Sequence, residues 1–83
     1  MAEERIGTID HYFARIGVAG IALTAPLRVG DRIHVRGHTT DFEQTVDSIQ
    51  IEHESVQEAK RGASAGIMVS ERCREGDEVY RVT

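Results

Sequence analysis

The feature that most constrains the fold is an alternation of apolar and polar residues with a period of two. In the clearest segment, residues 32–36, Ile33 and Val35 alternate with three charged or titratable neighbours. Successive side chains of a β-strand point to opposite faces, whereas an amphipathic helix repeats every ~3.6 residues, a pattern almost absent from this chain. The sequence therefore predicts an all-β protein.

About six segments of this kind, separated by turn residues, predict about six short strands. In chain order they are residues 6–13, 18–23, 32–36, 42–51, 67–69 and 79–82. The apolar phase changes between Val46 and Ile49, which predicts a β-bulge in the fourth strand. A small open sheet leaves two exposed edges, so we predict a small closed antiparallel β-barrel.

Two further patterns refine this barrel. The sequence RVGDRI at residues 28–33 returns as REGDEV at residues 74–79. Glycine followed by aspartate favours a turn, and the branched residue after it favours a strand, so the repeat predicts two matching corners. Residues 55–62 carry a capping-box pattern from Ser55 and Glu58, with a glycine at the far end, and this predicts a short helical connector.

Length and composition predict one domain over residues 1–83, with residues 1–4 as a loose N-terminal tail. The single cysteine, Cys73, excludes an internal disulfide. Residues 1–5 lack the basic and apolar regions of a secretory signal, and the longest apolar run, residues 16–25, is too short to span a membrane. We therefore expect a cytoplasmic protein without a membrane partner.

The net charge of −4 is uneven, since residues 1–40 carry five basic and four acidic side chains and residues 41–83 carry five basic and ten acidic ones. Every second residue from position 32 to position 38 is basic or titratable, which places these side chains on one face of a strand. They are Arg32, His34, Arg36 and His38. Tyr12 is predicted to project outward from the first strand, where it can stack on a base. These five residues are the candidate RNA-binding or partner-binding surface.

The alternative interpretation is that carboxylates of the next strand neutralise this face. If Gly37 lies opposite Phe42, then Arg36 lies opposite Glu43 and the other members of the face meet Thr45 and Asp47. One register then satisfies both faces of the hairpin, so the sequence favours this alternative.

No residue combination in the sequence indicates catalysis, a cofactor or a metal. The four histidines form no helical ligand pair, and Cys73 has no second cysteine beside it. A phosphate-binding G-x-x-x-x-G-K-[ST] pattern is absent, so we expect no GTP binding. We therefore predict a protein that is not an enzyme.

An ordered set of segments resembles the second domain of translational GTPases such as elongation factor Tu. The segments are residues 27–33, 45–51, 56–59 with Gly62, 66–67 and 74–79, within a resemblance that spans residues 5–82. The resemblance implies a closed antiparallel barrel standing alone, without the GTPase domain. Similar barrels also occur appended to collagenase-like peptidase-family proteins that modify RNA.

The resulting prediction is a non-catalytic binding module that contacts RNA or a protein of the translation machinery, such as a ribosome-associated protein. The alternative is an accessory subunit or appendage that docks on an enzyme, such as an RNA-modifying peptidase-family protein, without binding nucleic acid.

Overall fold

The computed structural model describes residues 2–83 and contains no helix among them, which confirms the all-β prediction. These residues form ten strands, more than the predicted number of about six. They are β1 (Glu3–Phe13), β2 (Val18–Leu23), β3 (Leu27–Arg28), β4 (Arg32–Arg36), β5 (Asp41–Thr45), β6 (Ile49–Ile51), β7 (Glu54–Val56), β8 (Glu58–Ala59), β9 (Ser64–Met68) and β10 (Glu78–Val82).

Eight strands form one antiparallel sheet in the order β5-β4-β10-β1-β2-β9-β6-β7, and β3 and β8 form a separate two-stranded ladder. Two neighbouring interior strands of the large sheet, β10 and β1, come from opposite ends of the chain. Pairing runs from Glu3 opposite Val82 to Thr8 opposite Glu78, with an irregularity between Arg5 and Gly7.

The predicted closed barrel is wrong, because β5 and β7 end the sheet without a backbone ladder between them in residues 2–83. The sheet is nevertheless strongly curved. The Gln44 side chain on β5 donates from Nε2 to the Met68 carbonyl (2.7 Å) and accepts at Oε1 from the Ser70 N–H (2.7 Å). An edge of five residues leaves few backbone groups unpaired, so a side-chain amide can protect it without closure.

The predicted helical connector over residues 55–62 is also wrong. Val56 lies in β7, and Ala59 lies in β8 opposite Leu27. Both Ala59 and Leu27 are fully buried, and the N–H of Val29 donates to the carbonyl of Gln57 (3.0 Å). Burial and pairing with a distant segment override the capping-box pattern, which is only a local signal.

Residues 42–51 form two strands instead of one bulged strand. β5 is one end of the sheet and β6 lies beside the other end, so residues 46–48 carry the chain between them. Val46 and Ile49 are both buried, and the N–H of Val46 donates to the Asp31 carbonyl (2.8 Å). The change of apolar phase therefore marks a strand break and not a bulge.

The apolar residues at every second position of the strands point inward and form the core. On β4, Ile33 and Val35 are fully buried, while Arg32 and Arg36 are exposed. The other buried apolar side chains are Ile6, Ile9, Ala19, Ile21, Leu23, Leu27, Phe42, Val46, Ile49, Ala59, Ala65, Ile67, Cys73 and Val79. Because full burial of one large aliphatic side chain is worth ~1.5–3 kcal/mol, this pattern decides which face of each strand turns inward.

The two Gly-Asp segments form the same turn. Gly30 and Gly76 have φ values of 97° and 92°, which other residues rarely adopt. In each turn the aspartate N–H donates to the carbonyl of the arginine three residues earlier (3.1 Å in both). The carboxylates of Asp31 and Asp77 accept from the N–H of that same arginine (3.0 and 2.9 Å). The turns lead into β4 and β10, which pair with each other.

The predicted loose tail over residues 1–4 falls partly outside the described residues, which exclude Met1. β1 begins at Glu3, and Ala2 and Thr83 exchange backbone hydrogen bonds of 3.1 and 2.8 Å. Residues 2–4 therefore lie along the sheet. Among residues 2–83, no helix is long and apolar enough to cross a membrane.

Candidate functional site

The predicted cationic face lies on the outer side of β4, but in a different register with β5. Arg36 lies opposite Asp41 and Arg32 opposite Thr45, whereas the sequence pattern favoured Arg36 opposite Glu43. The connecting loop spans residues 37–40 and is closed by a bond from the Gly37 N–H to the Thr40 carbonyl (2.7 Å). The shift of two residues leaves the same side chains on the same face.

His34, at the centre of this face, is enclosed by two carboxylates. Its Nδ1 lies 2.7 Å from Glu3 Oε2, and its Nε2 lies 2.5 Å from Asp41 Oδ1. The side chain is 12% exposed. Hydrogen bonds to Asp41 and then to Glu3 raise the pKa of the imidazole above its usual range. This arrangement links β1, β4 and β5, and it leaves neither ring nitrogen free for a ligand.

The two arginines of the face also contact carboxylates. Arg32 Nε lies 3.5 Å from Glu43 Oε1, and Arg36 Nη1 lies 3.8 Å from Glu3 Oε1. The Arg36 guanidinium carbon also lies 5.0 Å from the centre of the Tyr80 ring. These contacts support the interpretation that the face is neutralised, although its role in RNA or partner binding stays a prediction.

The remaining two predicted residues do not complete one surface. His38 is exposed in the loop after β4, whereas Tyr12 is half-buried and packs against the core. The orientation predicted for Tyr12 is reversed because β1 contains a bulge at Asp10, where the pairing with β2 shifts between Ile9 and His11. One extra residue exchanges the faces of all later residues in the strand.

The same bulge builds a groove that the sequence pattern does not reveal. It brings the Asp10 carboxylate over β2 at Gly20, where a Cβ would lie 2.6 Å from Asp10 Oδ1. Ser64 on β9 donates from its hydroxyl to Asp10 Oδ2 (3.4 Å). Gly20 is paired directly with Gly66 of β9, so the floor of the groove consists of backbone at Gly66 and is covered by the Asp10 carboxylate at Gly20. The groove encloses about 400 Å³.

One wall of the groove is aromatic and aliphatic. His11 and Phe13, turned outward by the bulge, stack edge to face with 4.3 Å between ring centres. Phe13 is 46% exposed, and Ile16, in the turn of the β1–β2 hairpin, is 63% exposed. Both line the groove, so apolar surface is left in contact with water there.

The opposite wall is the tight turn between β6 and β7. Its two residues, Glu52 and His53, line the groove and have φ values of 51° and 68°. Glycine or asparagine suits such a turn, and other residues adopt these angles at a cost of order 1 kcal/mol each. The groove therefore has one strained, polar wall facing one apolar wall.

Other reactive groups of the described chain are poorly placed for chemistry. Cys73 is 1% exposed, and burial, with the nearby Asp77 and Glu71, raises the pKa of its thiol to about 11. Among residues 2–83, no group of three or more His, Cys, Asp or Glu side chains could hold a metal ion.

No protein-family model matches the sequence. An uncharacterised protease of Methanocaldococcus jannaschii is 40% identical over 76 residues, which make up 90% of this chain and 19% of that protein. A collagenase of Porphyromonas gingivalis is 38% identical over 78 residues, or 92% of this chain and 22% of the collagenase. The chain thus spans about a fifth of the length of the curated relatives it matches.

Among solved structures, the fold is similar to the C-terminal domain of a Geobacillus thermoleovorans protein classed as a U32 peptidase. The TM-score is 0.90 at 18% identity, over 96% of this chain and 93% of that one. At this identity the match establishes the fold alone. The relatives are a protease and a collagenase, so the predicted resemblance to the second domain of translational GTPases is wrong. The comparisons favour the alternative of an accessory domain of a peptidase-family protein.

Proposed function

We propose that this chain is a non-catalytic accessory module that packs against the catalytic portion of a U32 peptidase-type protein. The observation that supports this most directly is the match at 40% identity, which covers 90% of the chain but only 19% of the protease. The similar fold of a C-terminal peptidase domain agrees with a unit that accompanies a larger protein.

The side-chain chemistry supports a non-catalytic role. The Cys73 thiol, with a pKa of about 11 and 1% exposure, is a poor source of the thiolate that a cysteine nucleophile requires. The nitrogens of His34 face carboxylates and not a serine or cysteine. Neither residue is arranged as a nucleophile or its base. The cytoplasmic location predicted from the sequence stays a prediction.

The proposal is tested by affinity capture of the tagged chain from nuclease-treated extracts of the cells that produce it, followed by mass spectrometry. We expect a peptidase-type protein to be retained after the nucleic acid is removed. Recovery of ribosomal proteins without a peptidase-type protein would contradict the proposal.

A second experiment tests the non-catalytic part of the proposal. The purified chain is incubated with gelatin and with casein, and the products are followed by electrophoresis. We expect no cleavage above that of a buffer control. Cleavage that co-purifies with the chain through two unrelated columns would show that it is an enzyme.

A further inference from the structure

We propose that the groove between the β1–β2 hairpin and the β6–β7 hairpin binds an extended polypeptide segment that combines apolar and basic side chains. The inference rests on the proposed function, because the segment would belong to the protein against which the module packs. It names the surface and the chemistry of that contact.

The shape of the groove suits an extended backbone. Gly20 and Gly66 are paired on neighbouring strands; the Asp10 carboxylate lies over Gly20, whereas the floor at Gly66 carries no side chain. A Cβ on Gly66 would lie 3.5 Å from Val18 Cγ1 and 3.7 Å from the Gln50 carbonyl oxygen, so side chains there would begin to fill the groove. A glycine inside a strand is one of the features that mark a site where a ligand or another backbone approaches closely.

The apolar wall provides the hydrophobic part of the contact. Phe13 and Ile16 are 46% and 63% exposed, unlike the buried apolar residues on the inner face of the same hairpin. Burying these side chains against apolar groups of a partner would remove them from water. An apolar side chain in every second position of an extended segment can reach this wall.

The negative charge of the groove favours basic side chains at the remaining positions of the bound segment. Asp10 and Glu52 line the groove, and no arginine or lysine of residues 2–83 does so. Within the described part of the chain, neither carboxylate forms an ion pair. A nucleic acid or an acidic peptide would meet repulsion here, whereas a basic side chain would meet two uncompensated carboxylates.

The backbone strain in the β6–β7 turn, which forms the polar wall of the groove, is a further argument for a binding role of Glu52. Glu52 has a φ of 51°, a conformation that glycine adopts without cost, yet this groove-lining position holds a glutamate. Strained residues cluster at ligand contacts because their side chains are held in a required position. The geometry thus agrees with a use for Glu52 that stability alone does not explain.

The direct test uses a short synthetic peptide of alternating arginine and leucine, titrated into the isotope-labelled full chain and followed by two-dimensional NMR. We expect amide shifts for Phe13, Ile16, Gly20, Glu52 and Gly66, and no such shifts with the matched peptide of alternating glutamate and leucine. Glu52→Lys should weaken binding about fivefold, since it replaces an exposed attraction by a repulsion.

Matched variants make the test specific. Glu54→Lys changes the net charge equally on the same hairpin but lies outside the groove, so it should leave the affinity within about twofold. Phe13→Ala should weaken binding more than Met68→Ala, because Met68 is 59% exposed but does not line this groove. Equal effects of Glu52→Lys and Glu54→Lys would reduce the contact to general charge attraction and overturn the proposal.

The remaining outcomes separate this inference from the proposed function. If the peptidase-type protein is captured equally by the wild type, Glu52→Lys and Phe13→Ala, the module docks through another surface and the groove proposal is overturned alone. If no such protein is captured but the basic peptide binds at the groove, the proposed function fails and the groove chemistry stands. Concentration-dependent shifts of the same amides without peptide would identify a second copy of this chain as the occupant and overturn the proposal.

Discussion

The outer face of β4 and the groove beside the β1–β2 hairpin both present charged side chains, but their charges have different surroundings. On β4, His34 lies between Glu3 and Asp41, and the neighbouring arginines contact carboxylates. In the groove, Asp10 and Glu52 share the lining with Phe13 and Ile16 and have no ion-pair partner among the described residues. A basic stripe that is obvious in the sequence thus contributes to folding, while a less conspicuous set of residues remains available for contact.

The largest expected effect on stability comes from removing the His34 imidazole on β4, which contacts Glu3 on β1 and Asp41 on β5. His34→Ala should lower the free energy of unfolding by about 2 kcal/mol, because Glu3 and Asp41 then lose their shared partner. Urea unfolding followed by circular dichroism measures this loss. His38→Ala, in the exposed loop of the same face, should stay within about 0.5 kcal/mol of the wild type. Equal losses of stability in His34→Ala and His38→Ala would contradict a specific role for the contacts of His34 with Glu3 and Asp41.

The pH dependence of stability is a second test of the stabilising role of His34. In the folded state, hydrogen bonds to Asp41 and Glu3 raise the pKa of His34 above its ordinary value, so folding favours the protonated ring. Its contribution is fully present below the unfolded-state pKa and is lost as pH rises through the higher folded-state pKa. The free energy of unfolding should therefore fall as the pH rises above the unfolded-state pKa of about 6.5, and it should fall more than in His34→Gln. Identical pH profiles for the two proteins would contradict this role.

A substitution in the turn that forms the polar wall of the groove should raise the free energy of unfolding, whereas His34→Ala should lower it. Replacing Glu52 by Asn and His53 by Gly creates a turn suited to the observed φ values of 51° and 68°. We expect the free energy of unfolding to rise by about 1 kcal/mol, because the strain is relieved. Thermal unfolding measures the change, and the same variant should bind the basic peptide less tightly. A loss of stability would indicate that the turn side chains support the fold.

The smallest effect is expected for Arg32. Its contact with Glu43 joins two side chains that are 53% and 45% exposed. Such pairs contribute about 0–1 kcal/mol, and Arg32→Gln should reduce stability by less than about 0.5 kcal/mol. Urea unfolding in low and high salt checks this value. A loss as large as that of His34→Ala would mean that the whole face acts as one network.

Local sequence patterns predicted the features that depend on neighbouring residues. The alternation of Ile33 and Val35 with polar residues identified β4, and the repeated Gly-Asp dipeptide identified two turns with the same hydrogen bonds. In both cases the determining interactions lie within a few residues of one another. Side-chain direction and turn geometry are read directly from such short segments.

Features that depend on distant partners could not be predicted in the same way. Ser55 and Glu58 suggested a helix, but the pairing of Ala59 with Leu27 and its burial require an extended chain. The bulge at Asp10 adds one residue to a strand, and this alone turned Phe13 outward and Tyr12 inward. A glycine opposite the bulge was the available signal, since a glycine inside a strand, such as Gly20, often marks a bend or a close approach.

The groove required still more information, because its residues come from four separate strands and two turns. Phe13, Gly20, Glu52 and Gly66 have no common spacing along the chain. Only the order β1-β2-β9-β6 brings them together. A single sequence contains no direct measure of that order.

The position of β10 between β4 and β1 also has a consequence for how the protein folds. The ladder between β1 and β10 joins Glu3 to Val82, so the other eight strands all lie within the loop that it closes. A hairpin such as β1–β2 pairs residues that are close in sequence, whereas this ladder pairs distant ones and carries the larger entropic cost of loop closure. We therefore expect the docking of β10 between β1 and β4 to follow the formation of the local hairpins.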